Sequence, residues 1–146
     1  MRFLNSKLKI ENTVLQNIAT KYGTPAYCYS YKQLRENIND FKKNFKSISP
    51  LICFAIKSNT NLNLIKEIKK FGLGADVVSM GELMLALKAG INPRKIVFSG
   101  VGKTSKEIHF AIDKNILLIN SESKSEIIEI DKIAKIKKNR LILVLD

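Results

Sequence analysis

One stretch of the sequence decides the fold: residues 51–78 read LICFAIKSNTNLNLIKEIKKFGLGADVV. Its first part, Leu51–Lys57, is mostly apolar and predicts a short buried strand. Apolar residues then recur at helical spacing through Leu62–Phe71, and Gly72 follows at the position where helices commonly end. The apolar segment Ala75–Val78 predicts the next strand. Strand, helix and strand in this order predict a βαβ unit, in which the two strands are parallel.

The same unit recurs along the rest of the chain. Predicted strands end near Lys57, Val78, Ser99 and Asn120, which lie 21 residues apart at each step. The repeat predicts further helices at Met80–Ala89, Ser105–Lys114 and Ser123–Ile136 and further strands at Lys95–Phe98, Ile116–Ile119 and Leu141–Leu145.

Two of these helices begin with the sequence of a capping box. Thr104 is followed three residues later by Glu107, and Ser123 is followed in the same way by Glu126. In this motif the hydroxyl accepts a hydrogen bond from the backbone of the first helical turn, and the glutamate reaches back to the start of the helix. Both pairs therefore support the predicted helix starts.

The predicted strands are nearly all apolar, as expected for a parallel sheet that helices cover. The sequence therefore predicts an α/β fold, and both a (β/α) barrel and an open doubly wound sheet fit the pattern. About five strands are predicted in the repeating region, whereas a closed barrel of this type has eight. Either the sheet is open, or the chain is part of a longer barrel.

The first fifty residues follow a different pattern. Apolar residues recur at positions 14, 18 and 22 and again at positions 34, 38, 41 and 45. These spacings predict two amphipathic helices, over Val14–Tyr22 and Leu34–Phe45, each with one buried stripe. Between them Gly23–Pro25 breaks the chain, and Ala26–Ser30 predicts a short strand.

The net charge of +12 at pH 7 raises the question of a nucleic-acid partner. The lysines, however, are spread over every predicted helix, usually opposite the apolar face. The longest basic cluster, Lys132–Arg140, is interrupted by Ile133, Ala134 and Ile136 and contains no aromatic residue. This distribution is typical of a solvated surface and argues against nucleic-acid binding.

The N-terminal residues and the cysteines indicate where the protein works. Met1–Asn5 lacks an apolar run of signal-peptide length, and no stretch reaches the roughly 18 apolar residues of a membrane helix. These features predict a cytoplasmic protein without a membrane partner. Cys28 and Cys53, the two cysteines, have no CxxC partner, which argues against a metal site and favours buried free thiols.

Two glycine-rich segments fail as nucleotide-binding loops. Gly100–Thr104 looks like the end of a phosphate-binding loop, but Val97 occupies the place of the first required glycine. Gly72–Gly74 begins like a dinucleotide fingerprint, but Val77 stands where the third glycine is needed. His109, the only histidine, lies beside the apolar stripe of a predicted helix, which predicts a half-exposed structural residue.

Lys57 ends an apolar strand, which is an uncommon place for a lysine. At the C-terminal mouth of a parallel sheet or barrel, this is the position where catalytic groups are found. Partial desolvation there makes the neutral amine more accessible near pH 7, and a neutral amine forms a Schiff base with an aldehyde. A strand-terminal lysine that extends its ammonium group into water fits the same pattern. The residues alone leave both interpretations open.

The stretch Phe54–Asn59 resembles the lysine signature of the family of pyridoxal 5′-phosphate (PLP) decarboxylases that act on ornithine, arginine and diaminopimelate. That signature has an aromatic residue, a small residue, any residue, the lysine, a small residue and asparagine, and an apolar helix and a glycine follow. The resemblance implies that Lys57 carries PLP and that Ala55 belongs to its binding site. The matching positions are Phe54, Ala55, Lys57, Ser58, Asn59, Leu64, Ile65, Ile68 and Gly72.

A second block, Gly74–Leu83, resembles the second-strand segment of the same family. The resemblance implies that Asp76 lies close to Lys57 in the cofactor site and that Glu82 supports the site from the following helix. Two plainer interpretations accompany these roles. Asp76 can be a strand carboxylate that faces solvent, and Glu82 can be a first-turn glutamate that interacts favourably with the helix dipole.

Further segments, Tyr22–Tyr29 and Ala89–Thr104, are similar to the branch of the family that acts on diaminopimelate. The resemblance covers nearly the whole chain and favours the barrel over the open sheet. It implies a partial (β/α)8 TIM-type barrel of the alanine-racemase-like PLP fold. Residues 1–30 would form an N-terminal helix and the strand that leads into the barrel, and residues 31–146 would form the N-terminal part of the PLP-binding barrel.

The same resemblance implies an activity: PLP-dependent decarboxylation of meso-2,6-diaminopimelate, an amino-acid substrate, to L-lysine, with the full-length enzyme acting as a homodimer. Family enzymes are far longer and carry a ring-stacking histidine, a triple-glycine loop, an acidic partner for the pyridine nitrogen and a C-terminal β-domain. His109 matches none of these, and the ending Leu141–Asp146 departs from the family pattern. We therefore expect the C-terminal strands and the β-domain to be missing and this chain alone to be nearly inactive.

Two alternatives accompany that expectation. The first is a non-catalytic PLP-binding protein for cofactor homeostasis, whose barrel lysine is typically followed by tyrosine or glycine rather than by Ser58-Asn59. The second is a non-functional truncated fragment, whose unpaired strands would aggregate.

Overall fold

A computed structural model describes residues 2–4, 7–137 and 142–145 of the 146-residue chain. These residues form two compact units, Met1–Pro50 and Leu51–Asp146. The predicted division into residues 1–30 and 31–146 concerns functional domains rather than packing, and it stays a prediction. None of the helices in the described part of the chain has the length and apolar character that crossing a bilayer requires.

The first unit contains a small antiparallel sheet in the order β1-β2-β3, followed by two helices. The sequence had predicted both helices but none of the three strands, although Lys7-Leu8-Lys9-Ile10 shows the polar and apolar alternation of a half-buried strand. The elements are β1 Arg2–Leu4, β2 Lys7–Ile10, β3 Thr13–Val14, α1 Leu15–Tyr22 and α2 Tyr31–Asn44.

Two predictions for this unit are wrong. Ala26–Ser30 is not a strand, because the segment pairs with no other strand among the described residues, and Tyr27 and Tyr29 are exposed. The stripes of the two helices are not buried either, since Phe41 on α2 is 50% exposed and neither helix contains a buried residue. Helical spacing shows which residues share a face, but burial requires a second layer against that face.

The turn between β2 and β3 is joined to the start of α2 by one carboxylate. Glu11, which has a positive φ of 52°, accepts hydrogen bonds from the backbone N–H of Lys32 (2.8 Å) and from the Ser30 hydroxyl (2.7 Å). The Ser30 hydroxyl in turn accepts a bond from the backbone of Gln33 and so caps the helix. These bonds, the backbone bond above all, hold the pKa of Glu11 below its ordinary value.

The second unit is the predicted succession of βα units. Its five strands are parallel and lie in chain order, β4-β5-β6-β7-β8. The elements are β4 Cys53–Ala55, α3 Leu62–Lys70, β5 Gly74–Val77, α4 Met80–Lys88, β6 Ile96–Phe98, α5 Ser105–Asp113, β7 Leu118–Ser121, α6 Lys124–Lys137 and β8 Ile142–Leu145.

The predicted boundaries are close except at two strands. The first strand is confined to β4, because the chain leaves the sheet at Ile56 and forms a 3-10 turn over Ile56–Ser58. The fourth strand is β7, two residues later than predicted, because the Ile116 N–H still donates to the Ala111 carbonyl of the preceding helix. Of the predicted last strand, Leu141 lies outside the described residues.

The strand order separates the two folds that the sequence left open. A doubly wound sheet reverses its strand order at a switch point, which creates a crevice there. Here every strand pairs with the next one along the chain, and crossovers of one hand then place the helices on one face of the sheet. This is the arrangement of part of a (β/α) barrel.

The two faces of this sheet carry different residues, as alternation along each strand requires. The face toward the helices is buried and holds residues such as Val77, Phe98 and Ile119, which pack with Leu83 and Ile108 of the helices. The opposite face is here called the inner face, and it carries several small or polar residues. Its residues include Cys53, Ala55, Gly74, Asp76, Ser99 and Asn120.

The predicted capping boxes differ in detail. At Thr104 the box is complete, since Glu107 accepts from the Thr104 backbone and donates its own N–H to the Thr104 hydroxyl. At Ser123 the hydroxyl caps Glu126, but the Glu126 carboxylate accepts from the backbone N–H of Glu122 instead. Helix α5 begins at Ser105 as predicted, and α6 begins at Lys124, one residue later than predicted. In the second case the glutamate holds the residue before the cap.

Candidate active site

Lys57 lies in the 3-10 turn that directly follows β4, and its neighbours shape that turn. The Ser58 hydroxyl donates a hydrogen bond to the carbonyl oxygen of Ala55 (2.7 Å), and the Asn59 backbone N–H donates to the carbonyl of Ile56 (2.9 Å). The Asn59 side chain then accepts a bond from the backbone of Asn61. Ser58 and Asn59 therefore have a structural use: they fold the chain into the turn that presents the lysine.

Of the two interpretations that the sequence leaves open for Lys57, the structure of this chain agrees with a side chain that extends into water. The side chain is exposed, and the strand has already ended two residues earlier at Ala55. The reason is local: Ile56 is fully buried and fixes the turn, while the next residue projects out of the core. The amine of Lys57 is consequently accessible to a small molecule.

Ala55 and Asp76, the other two predicted cofactor residues, are brought together. They are direct register partners on the adjacent strands β4 and β5 and lie on the inner face. The turn containing Lys57 contacts residues of β5 as well. The sequence elements that resembled the family signature thus meet at one end of the sheet, the carboxyl ends of β4 and β5.

Asp76 is hydrogen-bonded to Ser99, which is bonded in turn to Asn120, and the sequence did not single out either residue as functional. The Ser99 hydroxyl donates to Oδ1 of Asp76 (2.6 Å), and Nδ2 of Asn120 donates to the Ser99 hydroxyl (3.1 Å). The only sequence signal was that both residues mark strand ends in the 21-residue repeat. The two successive hydrogen bonds depend on the register of three strands.

Glu82 is engaged at the start of α4. Its carboxylate accepts a hydrogen bond from the Val78 backbone N–H (3.0 Å), and its own N–H donates to the Ser79 hydroxyl (3.2 Å). Glu82 therefore shapes the chain immediately after β5, which agrees with the plainer interpretation of a first-turn glutamate. Support of a cofactor site from this position stays a prediction.

Cys53 lies on the inner face near Asp76. Both cysteines are free, as predicted, but they are half-buried rather than buried. Burial is the main cause that raises the pKa of the Cys53 thiol, and the negative charge of Asp76 raises it further. A side chain on Gly74 would collide with the Lys95 carbonyl and with the sulfur of Cys53, so glycine is required for the close approach of these strands.

Lys103, part of the segment that fails as a phosphate loop, forms a buried ion pair with Glu126. The side chains are 1% and 7% exposed, and Nζ lies 3.3 Å from Oε2 of Glu126. Nζ also donates to the carbonyl oxygens of Gly100 (2.7 Å) and Asn120 (2.6 Å). All three donors of the ammonium group are thereby used, and the ends of β6 and β7 are held together.

The remaining candidates take no part in this arrangement. His109 lies half-buried on α5, as predicted for a structural histidine. Among the described residues, no group of three His, Cys, Asp or Glu side chains is placed to hold a metal ion. The polar groups at the carboxyl ends of β4 to β7 are therefore the candidate site.

The chain is similar to known proteins over most of its length. Residues 31–145 match the family model described as pyridoxal-dependent decarboxylase, pyridoxal binding domain. The chain is 43% identical over 134 residues to diaminopimelate decarboxylase of Aquifex aeolicus (strain VF5), which covers 92% of this chain and 31% of that protein. It is 46% identical over 114 residues to diaminopimelate decarboxylase of Helicobacter pylori (strain J99 / ATCC 700824), covering 78% and 28% respectively.

Solved structures give the same result. Diaminopimelate decarboxylase from Helicobacter pylori complexed with L-lysine superposes with a TM-score of 0.86 at 38% identity, covering 90% of this chain and 33% of that chain. The enzyme from m. jannaschii in co-complex with L-lysine gives a TM-score of 0.92 at 34% identity, covering 97% and 34%. The chain spans about one third of the length of these relatives, and the predicted partial barrel is confirmed. Because the family model matches most of its residues, the chain belongs to the pyridoxal-dependent decarboxylase family.

Proposed function

We propose that this chain supplies the lysine-bearing part of the active site of a PLP-dependent decarboxylase that converts meso-2,6-diaminopimelate to L-lysine. One observation carries the proposal: an exposed lysine follows β4 directly, beside the register pair Ala55 and Asp76, inside the pyridoxal-binding domain. The substrate assignment is supported by the relatives, which are diaminopimelate decarboxylases three times as long as the region matched.

The residues present fit the aldehyde-bearing end of PLP. Lys57 offers an accessible primary amine, which is the group that binds an aldehyde covalently. The small side chain of Ala55 lies beside Asp76 on the inner face. When bound, PLP supplies an electron sink that takes up the electron pair left by departing carbon dioxide.

The side chains of this chain have separate tasks in that reaction. Lys57 would hold the cofactor through Nζ, and the same amine would be free while the substrate is bound. Its free amine can carry a proton in the interval. Ser99 donates to Oδ1 of Asp76 and so fixes the direction of Oδ2, which is left to accept a donor from the bound molecule.

The wider assignments are predictions of the same proposal. The substrate belongs to the amino acids, the full-length enzyme is a homodimer, and it works in the cytoplasm without a nucleic-acid or membrane partner. Ser58 and Asn59 favour a decarboxylase over a cofactor-homeostasis protein, whose barrel lysine is typically followed by tyrosine or glycine. The isolated chain is expected to be nearly inactive.

A chimera tests the proposed activity. Residues 1–145 are joined to the remaining two thirds of the Aquifex aeolicus diaminopimelate decarboxylase, and release of carbon dioxide from meso-2,6-diaminopimelate is measured. We expect turnover in the chimera and a loss of about a thousandfold or more in Lys57→Ala, because a covalent group is removed. Lys66→Ala, which changes a lysine on α3, is the matched control.

Two results would contradict the proposal. One is a folded chimera that takes up PLP and releases no carbon dioxide from this substrate. The other is equal turnover in Lys57→Ala and Lys66→Ala. A turnover rate typical of the family from the purified 146-residue chain would contradict the expectation that this chain alone is nearly inactive.

A further inference from the structure

Three polar residues lie side by side on the inner face, on three consecutive strand ends. Asp76 is in β5, Ser99 follows β6 directly, and Asn120 is in β7. Ser99 continues the ladder, since its backbone N–H donates to the Val77 carbonyl (2.8 Å). Neighbouring parallel strands at this register place the three side chains in a row across the sheet.

Donor and acceptor chemistry gives this row a direction. An ionised carboxylate only accepts, so the Ser99 hydroxyl must donate its one hydrogen to Asp76 at 2.6 Å. The hydroxyl oxygen is then free to accept, and Nδ2 of Asn120 donates to it at 3.1 Å. Asn120 therefore aligns Ser99, and Ser99 aligns Asp76. We call this chain of hydrogen bonds the relay.

The far end of the relay is fixed by a buried cation. Lys103 donates to the backbone carbonyl of Asn120 and to that of Gly100, the residue after Ser99. Glu126 balances the charge of Lys103, and both side chains are nearly inaccessible to water. The backbone segments that carry the two donors of the relay are thus held together by an ion pair that solvent does not screen well.

We propose that Ser99 and Asn120 are positioning residues, and that the relay holds the Asp76 carboxylate in the orientation in which it meets the cofactor beside Lys57. The cofactor part of this inference rests on the proposed function. A carboxylate on a half-exposed sheet face would otherwise rotate freely, and a hydrogen bond to a charged acceptor is strong enough to select one orientation. Neither donor needs to touch the cofactor to act in this way.

The first test concerns the relay itself and needs no cofactor. In the full 146-residue chain, hydrogen exchange of the Asn120 side-chain amide is followed by NMR, with the exposed Asn63 as internal reference. We expect exchange about tenfold slower at Asn120 than at Asn63, because its amide is hydrogen-bonded. Ser99→Ala and Asp76→Ala should each raise the exchange rate at Asn120. Asp76→Ala should do so indirectly, because Asp76 bonds to Ser99 and Ser99 bonds to Asn120.

The matched control is Ser121→Ala. Ser121 is buried and donates a hydroxyl hydrogen bond to the Ser123 carbonyl, but it lies outside the relay. This variant should leave exchange at Asn120 unchanged. Equal exchange at Asn120 and Asn63 in the unaltered chain, or an equal effect of Ser121→Ala and Ser99→Ala, would overturn the relay.

The second test concerns the cofactor. The dissociation constant for PLP is measured by absorbance titration of the same variants. Ser99→Ala should raise it about tenfold, as expected for a lost hydrogen bond to a charged group, and Ser99→Thr, which keeps the hydroxyl, should restore it to within about twofold. Unchanged affinity in Ser99→Ala would overturn the positioning role. If the Asn120 amide is protected from exchange but the chain takes up no PLP at Lys57, the proposed function is contradicted. The hydrogen bonds of the relay are still supported in that case.

Discussion

Both compact units contain amphipathic helices, but the apolar faces of these helices are buried only in the second unit. No described residue of Met1–Pro50 is buried, whereas all the buried apolar residues lie between Ile56 and Ile133 in the second unit. Both units contain amphipathic helices that the spacing of apolar residues predicts correctly. The difference shows that an apolar stripe predicts a helix but not a core, because burial depends on a second layer.

The polar contacts differ in the same way. The first unit is tied together by Glu11, whose partners Ser30 and Lys32 lie near the surface. In the second unit the ends of β6 and β7 are tied by the buried pair Lys103 and Glu126. Exposed contacts are screened by water and contribute little, while a buried pair is costly to break.

The largest effect is expected at the buried ion pair. Lys103→Met leaves the Glu126 carboxylate buried without its cation, which should destabilise the second unit by about 3–5 kcal/mol. The free energy of unfolding is measured by urea denaturation. Lys135→Met is the control, because Lys135 forms an exposed pair with Asp131 on the same helix and its loss should cost less than about 1 kcal/mol. Equal losses of unfolding free energy in Lys103→Met and Lys135→Met would contradict the claim that the buried pair matters more than the exposed one.

A second prediction applies one substitution to both units. Ile65 is completely buried on α3, and Ile48 in the first unit is 69% exposed. Ile65→Ala should lower the free energy of unfolding by about 2–5 kcal/mol, because it leaves a cavity in the core. Ile48→Ala should change it by no more than about 0.5 kcal/mol. A comparable loss of unfolding free energy in Ile48→Ala would contradict the exposed position of Ile48 and show that this residue is part of a core.

The third prediction concerns pH. Glu107 accepts bonds from Thr104 and from the Met80 backbone, and the bond from the Thr104 backbone is the main cause that lowers its pKa below the ordinary 4.5. The stabilisation by Glu107 is therefore complete above about pH 4.5 and is lost as the pH falls through the lowered value. Glu107→Gln should cost about 1 kcal/mol at pH 7 and less at pH 3. A cost that does not change with pH in urea denaturation would contradict this account.

The smallest effect concerns the inner face. In a Cys28→Ser background, Cys53 is the only thiol, and its alkylation rate is followed against pH. Asp76→Asn removes a negative charge that raises the pKa of Cys53, so the midpoint should move to lower pH. Glu122→Gln, a charge change outside the Cys53 environment, is the control. An unchanged midpoint in Asp76→Asn would show that the carboxylate does not lie near the thiol.

Sequence periodicity predicted the βα repeat because each of its signals is local. The helix stop at Gly72, the apolar strands and the cap at Thr104 all depend on neighbours along the chain. The hairpin before Val14 was missed because two of its strands have only two to three residues, too short for a period to be recognised. Ala26–Ser30 failed for the opposite reason, since it has strand-forming residues and no strand to pair with.

The site was predictable only in part. Lys57, Ala55 and Asp76 were found through a resemblance, and the structure brings the last two into register. Ser99 and the role of Lys103 were not predicted, because they depend on contacts between strands about twenty residues apart in sequence. Lys57 lies two residues past the end of β4 rather than at its end, because the chain leaves the sheet at Ile56.

The most direct test of the central claim, that Lys57 is the cofactor lysine, is chemical trapping. The purified chain is mixed with PLP and reduced with borohydride, and the labelled peptides are mapped by mass spectrometry. We expect a pyridoxyl group on Lys57 and its loss in Lys57→Arg, with little label on the other exposed lysines. Labelling scattered over many lysines, or equal labelling of the chain without Lys57, would contradict it.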